Sequence, residues 1–298
     1  MMRGRERMAV AVRRPDGIIE VKDEPVSGFY RSRWVRFPLF RGLVILWDSL
    51  GTGLRALTYS ADVAAGEEAK LSGPAMWGTV AFSFIVGLGL FFALPMLVAS
   101  TLDHVIVSDW LSNTVEGLVR LAIFLAYLVG IGRVPDVRRV FAYHGAEHKV
   151  INAHEAGEPL TVERARPYGT SHARCGTGFL LIVVVVSVLV FGFLGRPSLP
   201  LRLASRLVLV PVIAAISYEI VRLSARHRQS ILARIVMAPS LLLQSLTTRE
   251  PSEDMVEVAL VALERILPAA VAQEPSEPGL AAVDTSLSSS AASATALP

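Results

Sequence analysis

Leu180-Leu181-Ile182-Val183-Val184-Val185-Val186 forms the centre of a stretch, about 177–195, that contains no charged residue. A run of roughly 20 apolar residues is the length at which an α-helix crosses the ~30 Å hydrocarbon core of a bilayer. Three more segments read the same way. One covers about 75–100, from Ala75 through Phe82, Phe84, Phe91 and Phe92 to Ala99. The next, about 114–132, contains Leu118-Val119-Arg120-Leu121-Ala122-Ile123-Phe124-Leu125, and the last, about 204–223, ends in Ser217-Tyr218-Glu219-Ile220-Val221. Arg120 lies inside its span, where an arginine either snorkels to the interface or pairs within the bundle. The fold class expected is therefore a mainly α membrane protein with about four transmembrane helices, with lipid as its first partner.

Composition agrees. The 298 residues are 52% hydrophobic, with a mean hydropathy of +0.50. The net charge is only +3 and the arginines are scattered, so a nucleic-acid partner is excluded. A single cysteine, Cys175, rules out an intramolecular disulfide. The first 35 residues carry many charges and no apolar core of signal-peptide length, so the chain is expected to insert through its first true span.

Outside the spans the chain divides into recognisable pieces. Residues 1–36 are polar and basic; Met8 to Arg14, the turn Pro15-Asp16-Gly17, and Ile18 to Val21 predict a small β-hairpin. Residues 37–70 place Leu39, Leu43, Leu46 and Leu50 at helical spacing, with Arg41, Asp48 and Arg55 elsewhere. That pattern suits an amphipathic helix on the membrane surface or one packed on other helices. The helical membrane domain covers 75–268 and includes a mixed apolar helix at 231–246. It ends in an amphipathic helix at 253–267, with Val256, Ala259, Leu260, Leu263, Ile266 and Leu267 on one side. From 272 to 298 Ala, Ser, Pro and Glu predominate, the composition of a disordered tail.

Charge sets the expected orientation. The 133–176 connection carries Arg133, Arg138, Arg139, Lys149, Arg164, Arg166 and Arg174, whereas 101–113 carries only Asp103 and Asp109. By the positive-inside rule, 133–176 and both termini lie in the cytoplasm of a multi-pass plasma (bacterial inner) membrane protein. Arg196 and Arg202, in the short 196–203 connection, run against that bias.

The chemistry concentrates in 133–176. On a helix from about Val137 to Ala156, His144, Glu147, His148, Ile151 and Glu155 share a face, His154 sits at its edge, and Gly157 ends it. His-x-x-Glu-His is the inverted zinc-protease spacing: two imidazoles for a metal and a carboxylate, Glu147, for the proton. Glu155 is either a ligand or an acid orienting an imidazole. His172 and Cys175 follow in the next loop, three residues apart, and complete a donor set suited to a divalent transition metal, zinc foremost. Glu219, near the end of the last span, is either a further ligand, a partner for Arg174, or an interface residue.

Several blocks together carry a family resemblance: YHGAEHK at 143–149, HEAGEPLTVE at 154–163, HARCGTGF at 172–179, SYEI at 217–220, LTTREP at 246–251 and the opening MMRGRERMAVAVR. The chain resembles the YqhQ-like family of bacterial membrane proteins, which are described as predicted metal-dependent enzymes. The resemblance implies a polar site of His144, Glu147, His148, Glu155, His172, Arg174 and Cys175. Ala173 and Gly178 replace what look like a usual proline and serine, neither of them a donor. The family's Gly- and Glu-containing segment before Met1 is absent, which implies a shortened N-terminus.

Two functions compete on this reading. The first is a membrane-embedded, metal-dependent hydrolase at the cytoplasmic face, in which Glu147 takes the proton from an attacking water. The second is a non-catalytic scaffold or assembly factor whose amphipathic helices dock other membrane proteins or a second copy of the chain. Transport ranks last, because the spans show few polar residues.

Overall fold

The computed structural model describes residues 1–4, 6–26, 37–65, 74–173, 175–227 and 229–267, and is mainly helical. The N-terminal hairpin is present and gains a strand. β1 (Met2–Arg3), β2 (Arg7–Arg13) and β3 (Ile19–Pro25) form an antiparallel sheet in the order β1-β2-β3, turning through Gly17 at φ +88°. Strand alternation gives β2 two working faces. Val10 and Val12 pack with Ala56 of α1 (Phe40–Ala65), while Ala11 packs towards α10 (Glu253–Ile266).

Helix α1 packs on one side and is exposed on the other. One side docks on α8 (Leu199–Arg226), where Arg41 forms an ion pair with Glu219 and Gly42 lies against Tyr218. The other side leaves Trp47, Leu50, Leu54 and Leu57 exposed at one-turn spacing, a stripe suited to the membrane interface.

Among the described residues three helical segments are long and apolar enough to cross a membrane: Trp77–Ser100, Asp109–Ile131 and Leu199–Ser224. The first is α2 (Pro74–Leu88) and α3 (Leu94–Ser100) joined by a π-helical turn at Gly89–Ala93; the second is α4 (Asp109–Ile131). The stretch expected as a fourth span forms α7 (Thr177–Gly192), only 16 residues. At 1.5 Å per residue that is roughly 24 Å, shorter than the hydrocarbon core. Its apolar run is long enough, but the chain becomes helical only after Gly176 and leaves the helix at Phe193. α7 lies against α4, α8 and α9 (Ile231–Thr247), and Gly178 lets α9 approach so closely that an added Cβ would stand 2.3 Å from Cβ of Ser240.

The last span begins earlier than the sequence suggested. α8 starts at Leu199, so Arg202 and Arg206 are helical and fully buried, at 1% and 0% exposure, together with Glu116 and Arg120 of α4. The expectation that the spans hold few polar residues is therefore wrong for α4 and α8, and Arg202, one of the two arginines that ran against the charge bias, belongs to a helix rather than to a connection. They gather around one acid within the bundle: the Glu116 carboxylate accepts from Arg120 at 2.7 Å, Arg202 at 2.8 Å and Arg206 at 3.1 Å.

The remaining helices build the layer that carries the histidines. α5 (Pro135–Glu155) starts with Pro at its first turn and Asp136 near its N-terminus, and ends before Gly157, whose φ of +79° is the expected left-handed stop. α10 buries Val256, Ala259, Leu260 and Leu263 against Ala146, Val150 and Ala153 of α5, and against Ala165 of the short α6 (Val162–Ala165). The amphipathic reading of 253–267 holds, with Met2 of the sheet closing the same core. Residues 272–298, read from sequence as a disordered tail, lie outside the described residues, as does Arg174.

Candidate metal centre

α5 is fixed from both sides before its histidines are considered. On one side Lys149, buried, donates to the carbonyls of Arg166 and Tyr168, both at 2.8 Å, and Asn152 donates to those of Gly169 and Ser171 at 2.9 and 3.0 Å. These bonds hold the 158–176 loop along the helix. On the other, Arg249 N–H donates to Phe141 O at 2.9 Å, and the backbone after α9 crosses α5 at Gly145. A Cβ there would stand 2.1 Å from Arg249 O. Gly145→Ala is accordingly expected to cost about 1–3 kcal/mol of stability by overpacking. A denaturant titration of the purified variant checks this.

Those two clamps aim the imidazoles. His144 Nδ1 lies 2.9 Å from Thr247 O, and His148 Nδ1 lies 2.6 Å from Thr170 O. A carbonyl only accepts, so in both rings Nδ1 carries the proton and Nε2 is the free donor atom. Orientation of a ligating histidine by a backbone carbonyl at its other nitrogen is the usual support of a metal site. The rings meet edge to face with centroids 4.4 Å apart, and His144 Nε2 stands 3.2 Å from Cys175 Sγ. Ligand atoms of His144, His148 and Cys175 all fall within 4.8 Å of one another.

Cys175 lies just before α7, with its thiol 3.2 Å from Thr177 Oγ1. Burial pushes the thiol up, but hydrogen bonds with His144, His148 and Thr177 outweigh it and hold the pKa down at about 5. Burial likewise lowers His144, and its hydrogen bond and attraction to Cys175 raise it above the ordinary imidazole value. The pair therefore favours a thiolate beside an imidazolium, the form from which a metal displaces the proton. In metal-free protein the alkylation rate of Cys175 should have its midpoint near pH 5. With both histidines replaced by alanine it should move up towards ~8.5, the value of a free thiol. Because the folded value is depressed, this group's contribution to stability is complete above the unfolded value and is lost as pH falls through about 5. A wild-type midpoint near 8.5 would contradict the geometry.

The other residues expected at the site go elsewhere. Glu147 ion-pairs with the N-terminal ammonium of Met1 and does not join the His144, His148 and Cys175 group. Its place three residues after His144 puts it on the neighbouring flank of the helix, towards the sheet. Glu155 accepts from or pairs with His172 Nε2 at 3.3 Å, and His172 is fixed through its backbone to the Gln244 amide at 2.8 and 3.0 Å. Its ring centroid lies 5.8 Å from that of His148, so the Glu155–His172 pair borders the cluster without entering it. His154 is half-buried in the last turn of α5. Glu219 forms an ion pair with Arg41 of α1 and, among the described residues, does not join the His144, His148 and Cys175 group; its expected partner Arg174 lies outside the described residues. Sequence reasoning missed the three groups that set the geometry. The carbonyls of Thr247 and Thr170 leave no mark on side-chain chemistry, although Thr247 lies in the LTTREP block. Gln244 carries no signal in a single sequence.

With this geometry the comparisons with known proteins can be placed. The family described as "Protein of unknown function (DUF1385)" matches residues 37–269, and the chain belongs to it. It is similar to a Bacillus subtilis (strain 168) protein with the name "Uncharacterized protein YqhQ", at 30% identity over 282 residues, 90% of this chain and 89% of that protein. The YqhQ-like resemblance thus holds over nearly the whole length. No solved structure matches.

Proposed function

We propose that this membrane protein is a metal-dependent enzyme, hydrolytic in type, whose centre is His144, His148 and Cys175. The observation that supports it is the convergence of two pre-oriented Nε2 atoms and one thiolate within 4.8 Å. The fit can be tested on the donor set. Tetrahedral zinc with N at ~2.0–2.1 Å and S at ~2.3 Å places donors roughly 3.3–3.6 Å apart. His144 and Cys175 already stand at 3.2 Å, so only a small closure of the remaining separations is needed. Three protein donors with one position open is the pattern of catalytic rather than structural zinc, whereas structural sites are closed by four. Bound zinc would supply Lewis-acid polarisation of a substrate carbonyl or phosphoryl oxygen, and would activate water. In this reading His144 and His148 hold the ion, Cys175 neutralises part of its charge, and the Glu155–His172 pair bordering them serves as proton carrier. The basic 133–176 connection favours the cytoplasmic face for the site, with both termini on that side of the plasma membrane.

Elemental analysis of protein purified without chelator tests this directly. About one zinc or other transition-metal ion per chain is expected. A preparation that binds none, even after incubation with zinc, and still complements a deletion strain sinks the enzyme reading in favour of the scaffold.

A further inference from the structure

The buried arginines at the far end of α4 from the histidines are more than an assembly device. Around Glu116 stand Arg120, Arg202 and Arg206, all within the bundle. Asp103 takes a second bond from Arg202 at 3.1 Å and one from Arg196 at 3.5 Å, and Asp109 takes Arg196 at 2.5 Å. Four guanidinium groups thus share three carboxylates. Neutral partners fill most remaining donor sites: Arg120 donates to Phe91 O at 3.0 Å and Ser187 Oγ at 3.3 Å, and Arg206 donates to Asn113 Oδ1 at 2.5 Å.

Two features are left over. One is the surplus positive charge, which a low-dielectric bundle does not tolerate without a counter-ion. The other is Arg206 Nη1, buried and without any hydrogen-bond partner. The Phe191 ring, 4.2 Å from the guanidinium, eases the charge but offers no lone pair. Both leftovers ask for a single anion with acceptor oxygens. The rim of the cluster meets the surface, where the Arg196 and Asp103 side chains remain 20% and 28% exposed, whereas Arg202 and Arg206 behind it are fully buried.

We propose that this cluster of α4 and α8 binds one phosphate group, with Arg206 Nη1 as its deepest donor. Phosphate suits the site because its oxygens accept from the planar guanidinium fork in pairs, and because a bilayer surface presents such groups at the ends of spanning helices. The group belongs either to a phospholipid head group or to free phosphate.

The full chain, purified in detergent, is assayed for tightly held phosphorus and then examined by native mass spectrometry. After exhaustive delipidation it is titrated with inorganic phosphate. About one retained phospholipid per chain identifies the lipid source; saturable uptake of inorganic phosphate by delipidated protein identifies the free ion. Arg206→Lys keeps the charge and removes Nη1, and should lower either signal at least tenfold. Wild-type protein that retains no phospholipid and shows no saturable phosphate binding overturns the proposal. So does a folded Arg206→Lys that binds as the wild type does. If that variant fails to fold, the two wild-type measurements decide alone.

Discussion

His148→Ala is expected to lower zinc affinity by at least roughly 100-fold, about 2.7 kcal/mol, while leaving the fold in place. The ring is one of the three donors that converge among the described residues, and the tethers that hold the site, Lys149 and Asn152 to the 158–176 loop, do not run through it. His144→Ala should do the same. His172→Ala is the informative contrast. Its ring is 5.8 Å from that of His148 and engaged with Glu155, so its removal should change affinity by about tenfold, the lower end of the range for a residue that acts on ligands from outside. Competition with a chromogenic chelator measures all three. Equal losses from His172→Ala and His148→Ala would move the centre away from Cys175 towards the Glu155–His172 pair.

Half of this site is visible in one sequence because helical periodicity is a rigid rule. His144 and His148 are one turn apart, and any helix there turns both the same way. The same rule misled for Glu147 and Glu155. A helical face about 100° wide admits both acids, but only side-chain partners decide which of them bends towards the cluster. Glu147 finds a cation towards the sheet and Glu155 finds His172. Such partners come from β1 and from the loop before α7, across long stretches of chain, and no local pattern announces them. Cys175 was legible as a donor type but not as the third member, since the loop that carries it is positioned by carbonyl acceptors that every residue possesses.

The spans follow the same division. Apolar length marked the spans in α2 to α4 and α8, because the bilayer imposes one length on every crossing helix, and it marked α7 as a helix although that helix is too short to cross. It did not mark that α7 stops at Gly192, nor that α8 extends back to Leu199. An apolar window penalises arginine, and therefore places a helix end at Arg202 unless a buried acid is known to answer it. Glu116 is that acid, 86 residues away in sequence.

That dependence makes Glu116→Gln the second large effect. One carboxylate accepts from Arg120, Arg202 and Arg206, and at 1% exposure it has no water to share the task. Glutamine keeps the shape and one acceptor oxygen but removes the charge, leaving three guanidinium groups with no negative partner at the centre. Removing one side of a buried ion pair costs about 3–5 kcal/mol, and here a single change leaves two cations, Arg120 and Arg206, without a carboxylate, while Arg202 keeps only Asp103. The bundle should therefore lose at least that much in an SDS-unfolding titration, with α4 and α8 separating first because every bond concerned joins them or lies within α4. A double change, Glu116→Gln with Arg206→Gln, removes one cation along with the anion. It should recover part of the loss, since two side-chain amides can bond to each other where an amide and an unpaired guanidinium cannot be balanced. Strictly additive losses in that cycle would mean that the carboxylate and Arg206 act independently, which the 3.1 Å contact between them forbids.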